Sequence, residues 1–157
     1  QITRDRLCRI SREENCCMPA VSNNLLTYGQ IEADLFVARA TIDKAKELSS
    51  KAGKYYRGQA GYHLQQAAEK LIKIQIYNSG VPINHAKLYR HSLDDLITYA
   101  MSIGIEISIP KWVDEKKYTI TGWEAEGRYD LRFVVRIDTL ERAYSEIEEW
   151  YESLRRK

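Results

Sequence analysis

Apolar residues recur at helical spacing along most of the chain. A first helix is predicted from Ile31, because its apolar residues fall on one face and Gly53 supplies a stop. The apolar residues of this face are Leu35, Ala38, Ile42, Ala45 and Ala52. A second helix is predicted over about 57–78, since Asn78-Ser79-Gly80 and then Pro82 end it. Both helices therefore have a face that must be buried against other elements.

Two further helices follow the same rule, with a less regular stretch between them. Ser92 is a good N-cap for a third helix that Gly104 closes. Residues 105–109 alternate like a strand but have no clear partner strand, so we predict an extended connection. A short helix is predicted over 111–117 and a loop or broken helix over 119–128. The last helix is predicted over roughly 131–155, where apolar residues recur at heptad spacing.

Together these elements predict an all-α fold in a single domain. We expect an antiparallel, up-and-down helical bundle of four long helices plus a short one over residues 29–157. Residues 1–28 lack sustained periodicity, so we predict an irregular or partly helical N-terminal arm. Trp112, Tyr118 and Trp123 are expected to cover one end of the bundle.

Composition narrows the functional classes. The chain has 157 residues and a formal net charge of +2, a balance that does not indicate DNA binding. Its apolar runs are too short to span a bilayer, so we expect no membrane segment. Cys8, Cys16 and Cys17 have neither metal-ligand spacing nor the pattern of a disulfide framework. We therefore predict a cytoplasmic protein with no metal and no cofactor.

A second row of side chains on the predicted helix 57–78 carries candidate chemistry. It consists of His63, Gln66, Lys70, Lys73 and Tyr77. Two ammonium groups at this spacing suit a phosphate, and a tyrosine can stack on a base. The alternative is a solvated or structural face, in which Glu69 pairs with Lys73 across one helical turn.

Three segments together resemble the HEPN domain family. They are HLQQAAEKLIK (63–73), HSLDDLI (91–97) and RYD (128–130), the last before a final amphipathic helix. The resemblance covers about residues 30–155 and implies a small helical bundle that is often dimeric. Many HEPN proteins are metal-independent ribonucleases, and some are toxins paired with a nucleotidyltransferase antitoxin. Other members bind nucleotides or act as interaction modules.

The ribonuclease signature of that family is incomplete here. It places a histidine four to six residues after an arginine on the last helix, whereas no histidine follows His91 in this chain. Arg128 is present without this partner, so His63 or His91 would have to supply the acid or base of an atypical enzyme. His63 and Arg128 are thus the candidate catalytic residues, if the protein is an enzyme at all.

We therefore predict a non-catalytic HEPN-like module that forms a homodimer and acts through a partner such as a nucleotidyltransferase. It would bind nucleotide or RNA phosphate along a polar seam, whose residues are His63, Gln66, Lys70, Lys73, Arg128 and Tyr129. The first alternative is a metal-independent endoribonuclease or toxin that uses His63 or His91. The second is a purely structural interaction domain without a ligand.

Overall fold

The computed structural model describes residues 26–129 and 135–157. The all-α prediction is confirmed for these residues, which contain helices and no strand. The six helices are α1 (Tyr28–Glu47), α2 (Lys54–Asn78), α3 (His85–Leu88), α4 (Leu93–Ser102), α5 (Lys111–Tyr129) and α6 (Ile137–Arg155). The predicted arm lies outside the described residues as far as residue 25, as do its three cysteines.

Helix α1 lies antiparallel to α2. Asp34 in the first half of α1 contacts Lys70 in the second half of α2, whereas the carbonyl of Ala45 lies close to Gly53 at the start of α2. Helix α1 ends at Glu47, earlier than predicted, so Ala52 is exposed and does not belong to its apolar face. The other predicted apolar residues of α1 are buried.

Helix α2 is the central element of the fold. It packs against α1, α4, α5 and α6, and its buried residues extend over most of its length. Helix α5 runs antiparallel to it, because Trp123 packs on Gly61 while the Gln75 amide donates to the carbonyl of Ser108 at 3.1 Å. A Cβ at Gly61 would lie 3.4 Å from the Trp123 side chain, so this glycine allows the two helices to approach closely.

The predicted ends of α2 and α4 are confirmed by their local geometry. Gly80 and Gly104 have φ angles of 72° and 79°, the left-handed conformation that glycine adopts without a steric penalty. Ser92 caps α4, since its hydroxyl accepts a hydrogen bond from the backbone N–H of Asp95 at 3.3 Å. The connection after Gly104 is extended, as expected.

The predicted short helix over 111–117 is helical, but the prediction for residues 119–128 was wrong. A single helix covers Lys111–Tyr129, where we expected the short helix to be followed by a loop or broken helix. Val113, Ile120 and Trp123 are buried and share one face of this helix. Packing of this face against α2 and α4 stabilises the helix, although its pattern of apolar and polar residues is weak. Trp123 is buried in the core and Trp112 is half-buried against it, whereas Tyr118, which we expected to belong to the same cover, is exposed.

The last helix begins later than predicted. Val135 and Arg136 are not helical, and α6 starts at Ile137, while the predicted positions 131–134 lie outside the described residues. Helix α6 lies antiparallel to α1, with Glu141 bonded to Arg39 at 2.8 Å and the Tyr28 hydroxyl near the carbonyl of Leu154. No helix in the described part of the chain has the length and apolar character needed to cross a bilayer.

Candidate functional site

Two buried carboxylates lie at the centre of the predicted polar seam. Asp34 on α1 and Glu69 on α2 are 8% and 4% exposed. A carboxylate removed from water is stable only when cations and hydrogen-bond donors surround it. The seam residues supply these partners.

Asp34 binds two of the predicted seam residues. Its Oδ1 accepts a hydrogen bond from Nδ1 of His63 at 2.8 Å, and its Oδ2 forms an ion pair with the ammonium of Lys70. The contact with Asp34 places the His63 proton on Nδ1, because a carboxylate can only accept. This contact fixes the orientation of the imidazole ring.

Glu69 has an equivalent set of partners. Lys73 donates to its Oε1 at 2.6 Å, while Gln65 donates to its Oε2 at 2.9 Å. The Nδ1 of His91 lies 3.3 Å from the same Oε2 and 3.8 Å from a carboxylate oxygen of Glu124. The predicted Glu69–Lys73 pair is thus confirmed, and it is far more buried than a surface pair.

The structure thus places the predicted residues His63, Gln66, Lys70 and Lys73 in two neighbouring clusters, which we together call the network. His63 and Lys70 bind Asp34 on α1. Lys73 binds Glu69, and the Gln66 amide donates at 2.7 Å to Oε1 of Gln65, which itself binds Glu69. Asp34 and Gln65 were not predicted as site residues. The sequence could have indicated Asp34, because it lies three residues after Ile31 on the apolar face of α1, where a charged residue is unusual.

A pocket of about 510 Å³ opens at the end of this network, between α2 and α3. We call it the α2–α3 pocket. It is lined by Leu26, Glu69, Lys70, Lys73, Tyr77, His85, Leu88 and Tyr89. Both predicted lysines therefore line a concave surface, a setting typical of small-molecule sites.

Aromatic rings line the same pocket. The rings of Tyr77 and His85 are 6.3 Å apart and tilted by 32°, and Tyr89 is 80% exposed. Burial raises the pKa of the Tyr77 hydroxyl above its ordinary value of 10.0, so this group is neutral in the pocket. His85 and Tyr89 were not predicted as site residues, because they belong to the connection after α2 and no periodicity marks them.

Two predicted site residues cannot be placed beside the lysines. The backbone of Arg128 and Tyr129 forms the last turn of α5, but their side chains lie outside the described part of the structure. This turn follows Trp123, which packs on Gly61. Because α5 is antiparallel to α2, the turn continues from Gly61 towards the start of α2. Lys73 lies in the opposite direction, twelve residues after Gly61, about 18 Å by helical rise. The contribution of Arg128 and Tyr129 stays a prediction.

The Glu69, His91 and Glu124 side chains have donor atoms within 4.8 Å of one another. Such groups can bind a divalent cation, but the ammonium of Lys73 already lies on the Glu69 carboxylate and opposes a second positive charge there. We assign these residues to the network.

Comparison with known proteins gives no relative. No family model, no curated protein and no solved structure matches the chain. The resemblance to HEPN domains therefore stays a prediction, and the function must be argued from the site itself.

Proposed function

We propose that this protein is a non-catalytic, HEPN-like module that binds nucleotide or RNA phosphate in the α2–α3 pocket. The observation that carries the proposal is the position of Lys70 and Lys73, which line one pocket with the rings of Tyr77, His85 and Tyr89. Ammonium groups bind phosphate oxygens, and aromatic rings stack on a base without regard to its sequence.

The ion pairs of the lysines are compatible with this role. An ammonium has three N–H donors, and the contacts with Asp34 and Glu69 occupy one donor on each lysine. A phosphate at the pocket can therefore accept from the remaining donors while both buried carboxylates keep their partners. Those carboxylates also hold the lysine side chains in place, which lowers the entropic cost of binding.

The test is equilibrium binding of a labelled, mixed-sequence single-stranded RNA, followed by fluorescence anisotropy with EDTA present. Tyr89→Ala removes an exposed ring of the pocket and leaves the buried network intact. Because stacking contributes about 1–3 kcal/mol per base, we expect the variant to weaken binding at least about fivefold. Binding should also weaken with added salt.

The matched control is Tyr118→Ala, which removes another highly exposed tyrosine, from α5 outside the pocket. It should bind RNA like the unaltered protein. Equal losses in both variants, or no binding at low salt, would refute the α2–α3 pocket as the site.

An Arg128→Ala variant tests the wider seam, since a loss of RNA binding in this variant would extend the site towards the end of α5.

A second candidate function is an endoribonuclease or toxin that uses His63. The observation in its favour is the contact of His63 Nδ1 with Asp34, which orients the ring and leaves Nε2 as the nitrogen that can accept a proton. RNA cleavage with EDTA present that His63→Ala abolishes, while the variant still binds RNA, would favour this enzyme. An equal loss in His91→Ala would implicate the other histidine.

The homodimer and the nucleotidyltransferase-type partner belong to the same proposal and rest on the resemblance to HEPN domains. Light scattering coupled to size exclusion measures the oligomeric state directly, and a monomer at micromolar concentration would remove the dimer from the proposal. A protein that binds neither RNA nor mononucleotides would instead fit the structural interaction domain.

A further inference from the structure

Arg57 is a buried cation in the first turn of α2. It is 5% exposed, and its Nη2 donates to the carbonyl of Ser50 at 2.7 Å, the one side-chain hydrogen bond that Arg57 makes among the described residues. Its Nε is buried and has no hydrogen-bond partner in this part of the chain. A buried guanidinium without a carboxylate is costly, because no negative charge compensates for its lost hydration.

Arg57 lines a second pocket, which we call the Arg57 pocket. Its volume is about 460 Å³, and none of its described lining residues belongs to the α2–α3 pocket. The other lining residues come from the end of α1, the following connection and the start of α6: Ala45, Lys46, Leu48, Ser50, Val135, Arg136, Ile137 and Asp138.

The N-terminus of α6 faces this pocket. Helix α6 has 19 residues and begins at Ile137; its N-cap residue Arg136 makes no side-chain cap hydrogen bond, and the Asp138 carboxylate accepts from the Thr139 N–H at 2.9 Å. The first backbone N–H groups of a helix have no backbone partner within it, and the helix dipole makes this end positive. An anion in the pocket would therefore meet the Arg57 guanidinium on one side and, on the other, the N–H groups of α6 that precede Thr139.

The charges around the pocket favour one anionic ligand. Lys46, Arg57 and Arg136 are positive, and Asp138 is the acidic residue that lines it. Asp138 is bonded to Arg136 at 2.8 Å, and Lys46 to Glu141 at 2.8 Å, so both surface lysine and surface arginine are already paired. Arg57 is the cation in the lining that has no such counter-ion among the described residues.

We propose that the Arg57 pocket is a second binding site, independent of the α2–α3 pocket, for a small phosphate monoester. Its phosphate group accepts hydrogen bonds from the guanidinium of Arg57 and from the N–H groups of α6 that precede Thr139. A phosphate matches the planar donors of a guanidinium and supplies the negative charge that the pocket lacks. The remaining volume holds the organic part of the ligand, since small-molecule pockets begin at about 300 Å³.

The experiment uses inorganic phosphate as the probe, titrated at constant ionic strength by calorimetry and by ³¹P NMR line width. Ser50→Asp places a carboxylate in the lining of the pocket, where it supplies Arg57 with an internal counter-ion. We expect it to weaken phosphate binding at least about tenfold, because a charge-assisted hydrogen bond is lost. Ser50→Asn is the matched neutral control and should bind phosphate within about twofold of the unaltered protein.

Two further measurements make the result decisive. Arg57→Met should remove the phosphate bound at this site from the calorimetric stoichiometry, whereas Lys73→Met, which removes a cation of the α2–α3 pocket, should keep it; this separates the two sites. Equal phosphate affinity in Ser50→Asp and Ser50→Asn would overturn the proposal, as would the absence of binding up to about 10 mM. Tighter binding of acetate than of phosphate would also overturn the assignment to a phosphate monoester.

Discussion

Helix α2 contains buried charges in two places, and they are compensated differently. In its second half, Glu69 is surrounded by Lys73, Gln65 and His91, so every charge has a partner within the chain. In its first turn, Arg57 has a backbone carbonyl as its bonded partner among the described residues. In the first arrangement every buried charge is compensated within the fold, whereas we propose that the second is compensated by a bound anion. Substitutions at the two places should therefore change stability by different amounts.

We expect the largest loss of stability from substitution of Glu69, the buried carboxylate whose charge is compensated within the fold. Glu69→Ala leaves Lys73 and the buried amide of Gln65 without their carboxylate. We expect the free energy of unfolding to fall by about 3–5 kcal/mol, measured by urea denaturation. Glu47→Ala, which removes an exposed carboxylate from the end of α1, is the control and should change stability far less. Similar losses in the two variants would show that burial of Glu69 does not matter.

The same substitution at the two cations should have unequal effects. Lys73→Met leaves Glu69 without its ammonium and should lower the free energy of unfolding by about 2 kcal/mol. Arg57→Met removes an uncompensated buried charge and should change stability by less than about 1 kcal/mol in phosphate-free buffer. Thermal and urea unfolding of both variants in parallel measure the difference. A larger loss for Arg57→Met would contradict the contrast between the two places.

We expect a smaller change in stability from the partly exposed cluster of Arg39, Lys46 and Glu141, which joins α1 to α6. Hydrogen bonds from Arg39, then from Lys46, lower the pKa of Glu141 to about 2. Since the folded pKa lies below the ordinary value of 4.5, this stability is complete above pH 4.5 and is lost as the pH falls towards 2. Because these ion pairs are partly exposed, we expect them to contribute about 0.5–1 kcal/mol to the free energy of unfolding above pH 4.5.

Stability measured from pH 6 to pH 2 tests this expectation against Glu141→Gln. The variant should be less stable at pH 6, and its deficit should shrink as the solution is acidified through pH 4.5. A deficit that stays constant with pH would mean that Glu141 contributes through packing.

The smallest effect links this cluster to the Arg57 pocket. Lys46 lines the pocket and is bonded to Glu141. Glu141→Gln should release this lysine and tighten phosphate binding by about twofold, measured by calorimetry. Weaker binding in this variant would show that Lys46 must be held by Glu141 to serve the pocket.

Local signals in the sequence predicted most of the fold. Gly80, Ser92 and Gly104 act within one turn of their own helices, so the ends they mark were predicted correctly. Helix α5 was missed because its stability depends on burial against α2, and the apolar pattern in residues 119–128 is sparse. The spacing of Val113, Ile120 and Trp123 was the available sign.

The candidate site was predictable only in part. Lys70 and Lys73 lie one turn apart on a helix, so their shared face follows from spacing alone. The carboxylate that binds Lys70 lies on another helix, 36 residues earlier, and only the packing of α1 on α2 brings it there. Arg57 gave no signal, because an arginine in the first turn of an amphipathic helix is ordinarily solvated. Its burial results from the surrounding connection and α6.

The central position of α2 also shapes how the chain would assemble. Helix α1 is joined to α2 by a short connection, so their pairing closes a small loop, whereas α6 returns to α1 from more than ninety residues away. Loop-closure entropy favours the α1–α2 hairpin first, with α6 docking late. Substitutions in the α1–α2 interface should therefore slow folding, and those in α6 should mainly speed unfolding.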